Sequence, residues 1–316
     1  MTASPATAPP GTTSPAEGGR GTWLAFSGCG LIWGSTFLVI SIGNDSLPPA
    51  WAAALRLGFA AIILAAITRI AGHDFPRGAA LKAAVLYGIF QFGINMPLLY
   101  WGEKTVPSGL AAVLFATVPL SSALITRAFG MERLNPLQIV GALVAIAGVA
   151  VISGASASGF SHTAGVVAIV TAATFAGLAT TFLKRGPRQS PFAANAVGSA
   201  VGFPICLLAS ALTGETWLLP QTGTAWFTIA YLVIAGSVGA FVLLAWLLRH
   251  WPVTRVAFIS VITPVIALTL GSLVRDEPLM GRSLAGTALV LAGLVLGMTA
   301  DRIGARTKAP VPSVRP

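Results

Sequence analysis

Between Trp23 and Ala300 the chain passes through ten apolar stretches, each close to the 20 or so residues that a helix needs to cross a hydrocarbon core roughly 30 Å thick. Punctuated by charges and by Pro, Gly and Asn, they run over 23–42, 50–70, 80–102, 106–126, 136–154, 163–183, 191–212, 223–247, 253–274 and 283–300. Of the 316 residues 55% are hydrophobic and only 9% charged, against roughly 25% charged in a soluble domain. A surface in water cannot be built from that balance, and a single soluble core stops growing near this length, so the excess must face lipid. The expected fold class is an all-α integral membrane protein with ten transmembrane helices and the bilayer as its main partner.

The formal net charge of +10 does not point to nucleic acid, because the basic residues stand singly or in small groups between the apolar runs rather than as a stripe among aromatics. Their placement predicts orientation instead. With the N-terminus in the cytoplasm, fifteen of the 19 Lys and Arg fall in cytoplasmic segments and three, Lys104, Arg275 and Arg282, outside; Arg56 lies within a span. Both ends are therefore expected in the cytoplasm. Residues 1–22, rich in Pro, Ala, Thr and Gly, read as a disordered cytoplasmic tail, and 301–316 as a second tail. The first apolar run starts too far from the N-terminus for a cleaved signal peptide. Cys29 and Cys206 sit inside apolar runs as small hydrophobes, and His73, His162 and His250 fall in expected loops, so neither a metal site nor a cofactor is indicated.

An internal repeat organises the spans. The stretch ERLNPLQIVGALVAIAGV from Glu132 matches EPLMGRSLAGTALVLAGL from Glu277, 145 positions on. The same offset pairs Leu134 with Leu279, Gly141 with Gly286, Gly148 with Gly293, Pro119 with Pro264, Pro107 with Pro252 and Trp101 with Trp246. Residues 23–154 and 163–300 then form two repeats of five spans each. Five is odd, so the second repeat enters the membrane upside down. Two inverted five-helix repeats are an architecture of secondary transporters, with the substrate near the midplane between the halves.

Span 3 carries Tyr87, Gln91 and Asn95 at intervals of four, along one helical face. An amide facing lipid is costly, so Gln91 and Asn95 are expected either to meet a polar solute or to tie the span to a neighbour. Pro119 and Pro264, paired by the repeat, lie inside spans 4 and 9. Each removes a hydrogen bond, freeing the carbonyls of Phe115 and Ser260, and the pair suits a hinge between two access states, though prolines are also common in membrane helices. Arg56 is the one charge placed within a span. Seven residues past Pro49, it starts about 10 Å into the helix and could snorkel outward, which favours a structural or orienting role. No Asp or Glu falls mid-span; Glu103, Glu132 and Glu277 sit at span ends, which argues against coupling through a buried carboxylate. Glu103 is the best remaining proton-sensitive group, with a solvated loop position as the plainer reading.

The stretches IWGSTF (Ile32 to Phe37), PPAWAAALRLGFAA around Arg56, PSGLAAVLFATVPL (Pro107 to Leu120) and the repeated Glu-x-Leu-to-Gly signature resemble the EamA family of the drug/metabolite transporter superfamily, from about Trp23 to Ala300. The resemblance implies an inner-membrane exporter of amino acids or other small metabolites, with a central cavity walled by spans 1, 3, 4, 6, 8 and 9. On those spans Trp33, Thr36, Tyr87, Gln91 and Asn95, with Phe115, Phe175, Ser260 and Thr263, become the expected substrate-binding set. Trp33, Phe37, Trp101, Phe115, Phe175, Trp246 and Phe258 offer aromatic surface, although interfacial belts use such residues too. A membrane-embedded enzyme would need a nucleophile with its base, or a metal cluster, and the scattered histidines supply neither. A channel or a non-transporting receptor is the alternative. A second subunit is not required.

Overall fold

Among the described residues ten apolar helical segments stand where the apolar runs predict them, because in lipid each backbone N–H and C=O must be satisfied within its own segment. They are α1 (Arg20–Gly43), α2 (Pro49–Ile70), α3 (Gly78–Gly102), α4 (Ser108–Ala128), α5 (Pro136–Gly154), α6 (Phe160–Arg185), α7 (Pro191–Leu212), α8 (Gly223–Leu247), α9 (Ile259–Arg275, preceded by the short turn Val253–Val256) and α10 (Gly281–Arg306). Eight are long and apolar enough to cross a membrane, and the apolar parts of α5 and α9, Pro136–Ile152 and Ile259–Arg275, are shorter. Among the described residues there is no strand. The computed structural model describes residues 19–131, 136–154, 160–251, 253–278 and 281–306. Most of the two expected tails, and Glu132, Leu134, Pro252 and Leu279 of the repeat, lie outside them.

Local chemistry sets the ends. Pro49 and Pro191 open α2 and α7 in the first turn, where the missing N–H costs nothing. The helices α2, α4 and α7 close on left-handed glycines, Gly72, Gly130 and Gly214. In each the following N–H turns back on the helix, from His73 to Thr68 O, Met131 to Thr126 O and Glu215 to Ser210 O. Two of the three histidines depart from the sequence reading: His162 lies within α6 and is buried, and His250 ends the helix that continues α8. Their helices simply extend a turn beyond the apolar run.

The two repeats meet through contacts that map onto one another. A Cβ on Gly141 would fall 2.6 Å from Gly293 O, and one on Gly148 would fall 2.7 Å from Gly286 O. Conversely, a Cβ on Gly293 would strike Gly141 O and one on Gly286 would strike Gly148 O. Since Gly286 is the repeat partner of Gly141 and Gly293 that of Gly148, the α5/α10 contact is carried onto itself when the halves are exchanged. That self-match is the mark of a twofold relation, and it makes the two helices antiparallel. Likewise Gly58 of α2 packs on Phe203 of α7, its own partner at the 145 offset. Apart from these two pairs, α1, α3, α4, α6, α8 and α9 pack on one another, α1 with α9 and α8, α6 with α3 and α4, and α4 with α9.

Candidate functional site

Two stretches of π-helix interrupt the central helices, Ile89–Ile94 in α3 and Leu232–Gly239 in α8. Adding 145 to the first gives 234–239, so the interruptions are repeat partners. A π-bulge loosens the hydrogen-bond ladder and is often found at functional positions. Here the loosened carbonyls find side-chain donors. Asn95 Nδ2 donates to Gln91 O at 3.1 Å, Cys206 Sγ to Phe92 O at 3.5 Å and Ser237 Oγ to Leu232 O at 3.0 Å, and just past the second stretch Cys29 Sγ donates to Ala240 O at 3.6 Å. The cysteines are buried and free, each a small apolar group with one weak bond.

The three candidates of α3 differ in what their side chains bind. The Tyr87 hydroxyl donates to Asn195 Oδ1 of α7 at 3.2 Å, so this residue ties spans together. Asn95 is fully buried, spends its N–H on its own helix and leaves Oδ1 without a partner. Gln91, half-buried in the π stretch, is the one whose side-chain amide makes no hydrogen bond among the described residues.

The aromatic candidates meet across helices. Phe37 of α1 packs edge-on to Phe115 of α4 at 5.9 Å, Trp33 of α1 edge-on to Phe241 of α8 at 6.2 Å, and Phe175 of α6 stacks on Phe90 of α3 at 5.8 Å. Trp33 and Phe258 share an apolar cluster. Thr36 Oγ1 donates to Ile32 O and stands 3.5 Å from where a Cβ of Gly236 would be. Thr263 Oγ1 is buried without a partner, on the stretch of α9 that Gly34 of α1 closely approaches. Ser260 is the second residue of α9, its N–H donating to Ala257 O at 3.0 Å. Trp101 and Trp246 stay exposed at span ends, the latter stacked on His250 at 4.1 Å.

The prolines are less symmetric than their sequence positions. In α4 the helix breaks at Ala116–Thr117, and Pro119 sits in the first turn of the following piece. Thr117 Oγ1 donates to Leu114 O there at 2.7 Å. In α9 the break falls at Ala257–Phe258, six residues before Pro264, which stays inside the helix. A cleft of about 30 Å³ adjoins Pro119, lined also by Gln138 and Gly297; another of about 400 Å³ lies by Arg20 and Trp23, away from the candidates.

Two residues differ from the sequence reading. Arg56 does not snorkel out. It is 5% exposed, with Nε donating to Ser237 Oγ at 3.0 Å and Nη1 to the Tyr100 hydroxyl at 3.2 Å. Three helices thus converge on it, and a single charge in an apolar run was the signal that marked it. Glu103 is no solvated loop residue: it is 4% exposed and neither carboxylate oxygen has a partner. Burial first, and then the charge of Glu277, push its carboxyl well above the usual carboxylate range, with Arg56 acting in the opposite sense. Glu277 itself accepts the N–H groups of Ser108 (2.8 Å) and Gly109 (3.0 Å) at the start of α4. Glu215 does the same for Ala50 and Trp51 at the start of α2. A carboxylate at a helix N-terminus is held by both the open N–H groups and the helix dipole.

An all-α membrane protein whose duplicated halves enclose a core of broken helices belongs among the transporters, and comparison with known proteins agrees. The family model of the EamA-like transporter family matches residues 20–154 and again 163–299. The chain belongs to that family: it is a multi-pass membrane transporter, with a small-molecule substrate and a lipid environment. It is 29% identical over 251 residues to the "Uncharacterized inner membrane transporter YedA" of Escherichia coli (strain K12), covering 79% of this chain and 81% of YedA. It is 30% identical over 287 residues to a "Probable terminal-alkyne amino-acid exporter" of Streptantibioticus cattleyicolor, covering 90% and 95%. One crystal structure with 20% sequence identity has the same fold at a TM-score of 0.61, over 91% of this chain and 99% of its own.

Proposed function

We propose that this chain is a secondary transporter that exports amino acids or similar small metabolites across the cytoplasmic membrane by alternating access, with both termini on the cytoplasmic side. The observation that carries the reading is the self-matching α5/α10 contact, which relates the halves by a twofold axis. Inverted halves offer two nearly equal packings of one site, open to opposite sides. The paired π-helical breaks add local looseness in α3 and α8, and Gln91 offers an uncommitted amide. The relative named as an amino-acid exporter supports the substrate class and the direction.

The test is counterflow in liposomes screened across amino acids. The reading expects saturable uptake that is accelerated by unlabelled solute inside, with Gln91→Ala slowing it severalfold and Pro119→Ala or Pro264→Ala slowing exchange at unchanged affinity. Ionic current that does not saturate, or Gln91→Ala moving the solute as well as the parent, contradicts it.

A further inference from the structure

Arg56 is a buried guanidinium with no carboxylate bound to it. Its two hydrogen bonds go to neutral hydroxyls, of Ser237 in α8 and Tyr100 in α3, and no salt bridge to it exists among the described residues. The Nη2 nitrogen has no acceptor there and points over Gly236, standing 3.2 Å from where a Cβ of that glycine would be. A Cβ on Gly236 would also lie 3.5 Å from Thr36 Oγ1 of α1. Gly236 is the repeat partner of Gln91, so the guanidinium stands, in the second half, beside the position from which the free amide side chain leaves the helix in the first.

A charge kept in a low-dielectric interior is costly unless a counter-charge joins it. Glu103 shares the neighbourhood, but its oxygens make no bond to Arg56, and its burial beside Glu277 pushes it toward the neutral form. Arginine presents a planar fork that matches a carboxylate, and the hydroxyls of Tyr100 and Ser237 fix that fork in advance of binding.

We propose that Arg56, held by Tyr100 and Ser237, is the recognition group for an anionic group of the transported solute, a carboxylate in the first instance. The site makes the charge of the solute, not only its shape, a condition for binding, and the solute supplies the missing counter-ion. The assignment rests on the transporter reading for its ligand, but binding can be measured without transport.

The probes are matched pairs, an aromatic and an aliphatic L-amino acid, each beside its amide and the corresponding amine. Thermal stabilisation of the purified full chain reads binding and liposome counterflow reads transport, for the parent, Arg56→Lys and Arg56→Gln. An acid is expected to bind the parent at least roughly tenfold tighter than its amide or amine. Arg56→Gln should abolish that preference, while Arg56→Lys should retain part of it and shows that loss is not misfolding. Amides that compete as well as acids, no stabilisation by any acid, or a preference unchanged in Arg56→Gln overturns the assignment. Acid binding that depends on Arg56 but is followed by no counterflow supports the assignment and sinks the transporter reading instead.

Discussion

At the scale of single residues, the charged groups divide by how their burial is compensated. Glu277 and Glu215, both half-buried, each give both oxygens to helix N-termini, which offsets the hydration they lose. Replacing Glu277 by Ala leaves the N–H groups of Ser108 and Gly109 open, and a loss of about 1–2 kcal/mol is expected in thermal or denaturant unfolding in detergent. Glu103 has no such partners. Its native carboxyl, near Glu277, Arg56 and Tyr100, holds a proton more tightly than in the unfolded chain. Its contribution is therefore whole below the ordinary carboxylate pKa and is lost as pH rises toward the native value. Glu103→Gln, neutral throughout, should melt above the parent near pH 8, with the gap closing toward pH 4; an equal gap at both ends would contradict the burial of this carboxyl.

At the scale of elements, close approach of α5 and α10 depends on backbone meeting backbone. A side chain at Gly141 would meet Gly293 O at 2.6 Å, and a carbonyl cannot rotate away as a flexible side chain can. Gly141→Leu should lower the melting temperature markedly and Gly141→Ala less so, whereas Gly223→Ala, with nothing within 4 Å, should leave it unchanged. The ten spans were legible in the sequence because each is set by one quantity, apolar length against bilayer thickness, and α7 begins and ends where its run does. The π stretches were not. They conserve composition and alter only the hydrogen-bond ladder, so Phe90 or Val233 carries no mark of them. The same gap hid the fate of Asn95: an i, i+4 face says which way a side chain leaves the helix, not that it will turn back on the carbonyl of Gln91. Arg56 was visible as an anomaly, but its partners Tyr100 and Ser237 come from distant spans and have no local signature.

At the scale of the whole molecule, the loops sort to two ends. Asp45 pairs with Arg275, His162 Nδ1 meets Thr105 O, and Glu215 and Glu277 cap α2 and α4, which gathers the start of α6 and the connections after α1, α3, α7 and α9 at one end. At the other, Arg185 lies over Phe129, His73 stacks on Phe192, and Trp23 at the start of α1 meets Trp251. Most of the described Lys and Arg belong to this second end, which is the cytoplasmic one in the proposed orientation. In an inverted pair of halves, equivalent positions face opposite sides of the membrane, and cysteine labelling from each side of oriented vesicles reads this directly. Asp74 and Leu219, like Lys104 and Arg249, are exposed and 145 residues apart, while Cys29 and Cys206 are buried and give little background. Single cysteines at Asp74 and Arg249 should react only from the cytoplasmic side and those at Leu219 and Lys104 only from the outer side; members of a pair reacting from the same side would contradict the inverted arrangement on which the transport reading stands.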